Sequence, residues 1–154
     1  MKLKHRSLLA LILTPCFGLL PTLCLVGASS TQAAEIRSWN YSTIDWKIDR
    51  PNGAKLTFLE GIWETAGPIT YAFKMKDGTW YPLHTHPSDA RIVVLQGTLM
   101  LGHDESSDPA KATALPAGSV AIVPAGVPHY EGAQGDTVIV GFTIGPWSTT
   151  FIKK

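Results

Sequence analysis

The feature that most constrains the fold is a succession of short segments in which apolar and polar residues alternate. Each segment is closed by glycine, proline, asparagine or aspartate, as at residues 55–64, 69–76 and 137–144. A period of two is typical of strands with one buried face, and no stretch has sustained helical periodicity. The pattern predicts about nine or ten strands between residues 35 and 154, in an all-β sandwich or barrel of the jelly-roll type. Without crossover helices, a parallel α/β sheet is not expected.

A tight turn is predicted at Gln96 and Gly97, because apolar segments 90–95 and 98–101 flank this pair on both sides. Two strands joined by a glycine-containing pair are typical of a β-hairpin. Further strands are predicted over residues 119–123, which end at a proline, and over residues 147–152.

The first 34 residues have a different character. Basic residues at positions 2, 4 and 6 precede an apolar run over 8–26, and small residues follow. This order predicts a secretory signal peptide cleaved within 30–34, and hence export to the periplasm or out of the cell. A retained membrane anchor is the alternative, because the run is almost long enough to span a bilayer. A lipoprotein is disfavoured, because neither cysteine follows the small residues that its signal requires.

Removal of this segment changes the charge and the cysteine count. The whole chain has 13 basic and 12 acidic residues. Residues 35–154 keep 10 basic and 12 acidic residues and no cysteine. Disulfides and thiolate metal ligands are therefore excluded from a single expected domain over 35–154. The lack of a basic excess argues against a nucleic-acid partner.

Three histidines in two distant segments indicate a metal site. His84 and His86 are separated by one residue, so in a strand their side chains share a face. His129 follows a turn at Pro124 and Gly126 that can direct it toward the same interior. Three imidazoles from two strands could form a facial site for one divalent metal. The alternative is that these are partly exposed polar residues at strand ends.

The same segments resemble the two motifs of the cupin family. Motif 1 corresponds to residues 78–97 and motif 2 to residues 118–133, and the surrounding strands extend the resemblance over residues 55–152. The matching positions are Gly78, His84, His86, Gly97, Gly118, Pro124, Gly126 and His129. The resemblance implies a double-stranded β-helix, that is, a jelly-roll barrel, with metal held by the three histidines.

Two positions depart from the family pattern. The glutamate ligand of motif 1 falls on Ala90, or on Arg91 if the spacing is one residue longer, and the asparagine of motif 2 falls on Ala133. Neither Ala90 nor Arg91 can ligate a metal. Asp89 could replace the ligand only by turning from the opposite face of the strand. The resemblance therefore implies three ligands rather than four.

Two classes of function are compatible with this variant of the motif. A three-histidine site resembles those of cupin thiol dioxygenases and of the diketone-cleaving dioxygenase, which implies an oxygen-dependent oxidation of a small chelating substrate. The alternative is a non-catalytic module that binds or senses a small ligand on the same barrel. Imidazoles accept Fe, Mn, Zn, Ni or Cu, so the ligands do not select the metal. Pairing of two copies into a homodimer through sheet edges is a further expectation.

Five more residues are candidates for the substrate pocket. Tyr130 could donate a hydrogen bond or pack its ring, and Trp80 could line the barrel mouth or the core. Arg91 could hold a substrate carboxylate or face solvent. Gln96 and Glu60 could supply the missing donor from neighbouring strands, depending on their register.

Overall fold

A computed structural model describes residues 35–153. The chain divides into two units, residues 1–36 and 37–154, and the fold below is that of the second. The predicted signal peptide lies outside the described residues. Residues 35–153 contain no helix with the length and apolar character needed to cross a bilayer.

Antiparallel strands make up nearly all of the regular structure in residues 35–153, which confirms the all-β prediction. In order they are β1 Ile48–Asp49, β2 Lys55–Glu60, β3 Gly67–Met75, β4 Trp80–Thr85, β5 Ala90–Gly102, β6 Thr113–Pro116, β7 Val120–Val123, β8 His129–Gly145 and β9 Thr150–Phe151. The remaining regular structure in this range is three short 3₁₀ turns.

Strand β8 organises the sheet, because it pairs with three other strands. Along its length it hydrogen-bonds to β3, β4 and β5. Strand β5 extends the sheet to β6 and β7, while β1 and β2 continue it beyond β3. The curled sheet gives the double-stranded β-helix that the cupin resemblance implies.

The interior of the curled sheet is filled by alternate side chains of its long strands. Ile69, Tyr71, Phe73 and Met75 are all buried on β3 and follow the period of two. Tyr71 stacks on Trp147 with ring centroids 4.9 Å apart. Apolar burial is the main stabilising contribution in a chain segment that has no cysteine.

The hairpin predicted at Gln96 and Gly97 is wrong, because β5 is continuous through both residues. The pairing of β5 with β8 shifts register on either side of Gln96, which marks a β-bulge. Gly97 has φ +72°, and a Cβ there would lie 2.5 Å from the backbone oxygen of Asp136. A bulge and a tight hairpin both favour glycine at positive φ, so the sequence pattern did not distinguish them.

Strand boundaries also differ at the C-terminal end of the chain. Strand β8 begins at His129, whereas the pattern predicts a strand over 137–144. Of the predicted strand 147–152, only Thr150–Phe151 has strand conformation. The longer β8 matters for function, because it places His129 inside the sheet rather than in the turn before it.

Candidate metal centre

The structure brings the three predicted histidines together at one end of the curled sheet. His84 lies near the end of β4, His86 follows that strand, and His129 is the first residue of β8, opposite His84. One ring nitrogen of each histidine lies within 4.8 Å of the others. Three nitrogens bound to one ion at about 2.1 Å lie about 3.0–3.6 Å from one another. The ring nitrogens that are farthest apart therefore need to approach by up to roughly 1–2 Å to share an ion.

Backbone carbonyls fix the orientation of each ring. The Nδ1 atoms of His84, His86 and His129 lie 2.6, 2.7 and 2.9 Å from the carbonyl oxygens of Pro82, Ser148 and Val127. Because a carbonyl only accepts hydrogen bonds, each Nδ1 carries the proton, and each Nε2 keeps its lone pair. This tautomer is the one that a metal-ligating imidazole needs, so the residues fit a metal ion.

Burial keeps the three rings in the neutral form that ligation requires. It lowers the pKa of His84 to about 3, assisted by the neighbouring His129. Burial lowers the pKa of His86 to about 4, against a raising effect of its bond to Ser148. The pKa of His129 is also lowered by burial. Three neutral imidazoles facing one point offer lone pairs without mutual repulsion.

Hydrogen bonds donated by two backbone amides join the two histidine-bearing segments. The amide of Gly126 donates to the carbonyl of His86 at 2.8 Å, and the amide of Ala125 donates to Asp89 Oδ1 at 3.0 Å. The turn that precedes His129 is thereby held against the segment that carries His86. These contacts explain why the proline–glycine turn brings the third ring to the other two.

A cavity of about 30 Å³ opens on the histidines, with room for one or two water-sized groups. Most of its wall is apolar or aromatic, and the ring of Trp147 lies 4.5 Å from that of His86. Two charged residues also line it, Arg50 and Glu131. Neither residue was predicted from the sequence to lie in the pocket. Strand alternation from His129 could have identified Glu131, two residues further along β8.

Glu131 is a buried carboxyl group in the same cavity. Burial raises its pKa to about 7. Within residues 35–153 it has no hydrogen bond or ion pair, and it is outside the group of histidine nitrogens that could share an ion. Glu131 therefore stands beside the candidate metal ligands as a group able to hold a proton, not as a fourth ligand.

The five sequence-based pocket candidates all lie outside this cavity, which corrects those predictions. Tyr130 points away from its neighbour His129, and its hydroxyl donates to Asp104 at 2.8 Å. Trp80 packs over Gly132 and beside Tyr130. Arg91 is exposed between inward-facing neighbours and pairs with Asp89 at 3.3 Å.

The two candidates for the missing donor are also occupied elsewhere. Gln96 Nε2 donates to the carbonyl of Asp136 at 3.2 Å. Glu60 accepts from Arg37 at 2.8 Å and from Thr70 at 3.1 Å. Ala90 lines the cavity without a donor atom, and Asp89 is held by Ala125. None of these four residues replaces the carboxylate that the family motif carries.

A sequence profile described as "Cupin domain" matches residues 71–145, which include all three histidines. Germin-like protein 5-1 of Oryza sativa subsp. japonica is 34% identical over 86 residues, which are 55% of this chain. The match spans only 38% of the length of that relative.

Solved structures support the same fold. An uncharacterised double-stranded β-helix protein from Klebsiella pneumoniae aligns with a TM-score of 0.61 and 18% identity, over 78% of this chain and 100% of that one. A candidate acetylacetone dioxygenase from Methylibium petroleiphilum aligns with a TM-score of 0.58 and 17% identity, over 79% of this chain and 85% of that one. At these identities the similarity concerns the fold.

Proposed function

Because the chain belongs to the cupin superfamily, we propose that it is an exported protein that binds one divalent transition metal through His84, His86 and His129. We further propose that it uses this metal in an oxygen-dependent oxidation of a small chelating substrate. The observation that carries the proposal is the convergence of three ring nitrogens within 4.8 Å, each with its Nδ1 engaged by a carbonyl.

A divalent ion at this position would supply Lewis-acid chemistry and, for iron, manganese, nickel or copper, redox chemistry. The chain itself supplies orientation, exclusion of water and a proton-holding group. Trp147 and Tyr71 form a stacked aromatic wall beside His86. Glu131 can hold or release a proton at its carboxylate oxygen, since its pKa is about 7.

A three-nitrogen facial set leaves coordination positions for a chelating ligand and for oxygen. The absence of a carboxylate at Ala90 supports the binding of an anionic chelating ligand. Without that carboxylate, the metal site would carry one more positive charge. The candidate acetylacetone dioxygenase among the structural neighbours is consistent with such chemistry.

The same departure at Ala90 favours a second candidate function. A cupin without the motif carboxylate could retain the barrel and the metal and bind a small ligand without converting it. In that case, a ligand would raise the melting temperature of the metal-loaded protein by mass action and be recovered unchanged.

Metal analysis followed by oxygen uptake tests the proposal. Protein purified without a metal-affinity tag, and offered Fe, Mn, Zn, Ni and Cu separately, is expected to retain close to one ion per chain for at least one metal. Anaerobic loading with Fe(II) and exposure to oxygen with a panel of chelating acids, diketones and phenols should give substrate-dependent uptake. Failure to retain any metal contradicts the proposal, and stabilisation without uptake favours the binding module.

Export is supported by the sequence pattern of the first 34 residues. Expression of the full chain in a host with a general secretion pathway should yield protein in the exported fraction. Its intact mass should correspond to cleavage within residues 30–34. Recovery of the uncleaved chain in the membrane fraction would instead support the retained anchor.

A further inference from the structure

We propose that the ligand of this cavity is a small organic anion whose carboxylate is bound by Arg50, while its second donor group faces the three histidines. The inference rests on the proposed function only for that second donor, which would bind the metal. It adds a substrate class and a specificity-determining residue from outside both cupin motifs.

Arg50 reaches the cavity from a part of the chain far from the histidines. It directly follows β1 and precedes the 3₁₀ turn Pro51–Gly53 that leads into β2. Its side chain lines the same cavity as His84, His86 and His129. Burial is the main cause of the lowered pKa values of His84 and His86, and the positive charge of Arg50 is the smallest of the contributions that lower them.

The guanidinium group is held in place by aromatic neighbours. Its Nη2 donates a hydrogen bond of 2.7 Å to the hydroxyl of Tyr81. The guanidinium carbon lies 5.8 Å from the ring centre of Trp63 and 5.9 Å from that of Tyr81. A planar group fixed in this way loses little side-chain entropy when it binds a ligand.

Among residues 35–153, the charge of Arg50 has no acidic partner. Within residues 35–153, no carboxylate lies within ion-pair distance of its guanidinium, whereas Arg37 and Arg91 both pair with acids on the surface. One bond to a neutral hydroxyl leaves most of its five N–H donors free. A half-buried cation without a counter-charge is costly unless an anion approaches it.

Glu131 lines the same cavity and yet does not pair with Arg50. The cavity therefore combines an unpaired guanidinium and three neutral imidazoles with one carboxyl group whose pKa is about 7, and a bound divalent ion would add further positive charge. A carboxylate matches the guanidinium by two parallel hydrogen bonds. The cavity volume of about 30 Å³ restricts the group that reaches the histidines to a few atoms. A short carboxylate with a second oxygen donor satisfies both conditions.

Calorimetric titration of metal-loaded protein tests this assignment. Wild type, loaded with the metal that it retains best, is titrated with pyruvate and with its neutral counterpart pyruvamide. We expect pyruvate to bind more tightly than pyruvamide. Arg50→Met should weaken pyruvate binding by about 10- to 100-fold and leave pyruvamide unchanged. Arg50→Lys keeps the positive charge but loses the parallel N–H donors of the guanidinium group, so it should cause a smaller loss of pyruvate affinity.

Arg91→Met is the matched control, because Arg91 is exposed and lies outside the cavity; it should bind pyruvate like wild type. Circular dichroism and metal content are measured for every variant, and Arg50→Lys serves if Arg50→Met does not fold. Equal binding of pyruvate by wild type and a folded Arg50 variant, or no preference for pyruvate over pyruvamide, overturns the inference.

Titration of the metal-free protein separates this inference from the proposed function. If wild type retains no metal but binds pyruvate in an Arg50-dependent way, the carboxylate site stands and the metal proposal fails. If metal is retained and the affinity for pyruvate does not depend on Arg50, the metal proposal stands and the carboxylate site fails. Tighter binding of acetylacetone than of pyruvate would likewise count against a carboxylate ligand.

Discussion

Replacing His86 with alanine is expected to weaken metal binding by at least about 100-fold, more than the loss of an outer-shell partner usually causes. The substitution removes one of three ring nitrogens that converge within 4.8 Å. His86 is the best of the three to replace, because it lies beyond the end of β4 and is only partly buried. Loss of His84 or His129 would also leave a cavity in the sheet interior.

Competition with a chromogenic chelator, together with elemental analysis, measures this change in affinity. His103→Ala is the matched control, because His103 is exposed and outside the histidine cluster; its affinity should equal that of wild type. Circular dichroism establishes that both variants are folded. An affinity of His86→Ala within about threefold of wild type would show that the three rings do not act as one site.

The second large effect is a loss of stability of the metal-free protein as the pH falls below about 6.5. The unfolded chain protonates its histidines near 6.5, whereas burial holds the pKa of His84 at about 3 and that of His86 at about 4 in the folded chain. Their stabilising contribution is fully present above pH 6.5. Each then loses about 1.4 kcal/mol per pH unit on acidification, until the folded-state pKa is reached.

The titration of Glu131 has the opposite effect on the stability of the metal-free protein over much of this pH range. Its folded-state pKa is raised from 4.5 to about 7 by burial. Its contribution is therefore fully present below pH 4.5 and is lost as the pH rises toward 7. Between pH 6.5 and 4.5, Glu131 offsets one histidine. The wild type should still lose on the order of 1–3 kcal/mol per pH unit, since His129 shifts in the same direction as the other two.

Denaturant unfolding of the metal-free protein at pH 7.5, 6.5, 5.5 and 4.5 measures this dependence. Glu131→Gln removes the opposing group, so its stability should fall more steeply, by about 1.4 kcal/mol more per pH unit. Asp136→Asn is a surface control, because the pKa of Asp136 is lowered by its bond to Lys76 and it titrates below this window. A flat profile, or a Glu131→Gln profile parallel to wild type, would contradict the assignment of these groups.

Much of the fold and the histidine cluster could be predicted from the sequence, for local reasons. Alternation reports directly on strands with one buried face, and the spacing of His84 and His86 fixes their common side. His129 required the turn before it, which the two cupin-like motifs supplied. The bulge at Gln96 and Gly97 was missed because a positive φ at glycine serves both a bulge and a hairpin.

The position of Arg50 in the cavity could not be predicted from local sequence patterns. It lies 34 residues before His84, in a segment without a motif, and only the pairing of β1 with β2 and of β2 with β3 brings it to the cavity. By contrast, Arg91 lies in motif 1 and yet faces outward, because its neighbours Ala90 and Ile92 occupy the interior side of β5. Closeness in sequence to the ligands was therefore a poor guide to the rest of the pocket.

The long strand β8 gives the two sides of the cavity different mechanical properties. His129 and Glu131 belong to the part of β8 that is bonded to β4 on one side and to β5 on the other, so amides there should exchange with deuterium mainly when the whole molecule unfolds. The part of the wall formed by Trp147 and Thr149 is followed by a two-residue strand at the sheet edge. Amides there should exchange through local fraying. The cavity thus has one rigid wall and one compliant wall, and a ligand that enters should slow exchange mainly on the compliant side.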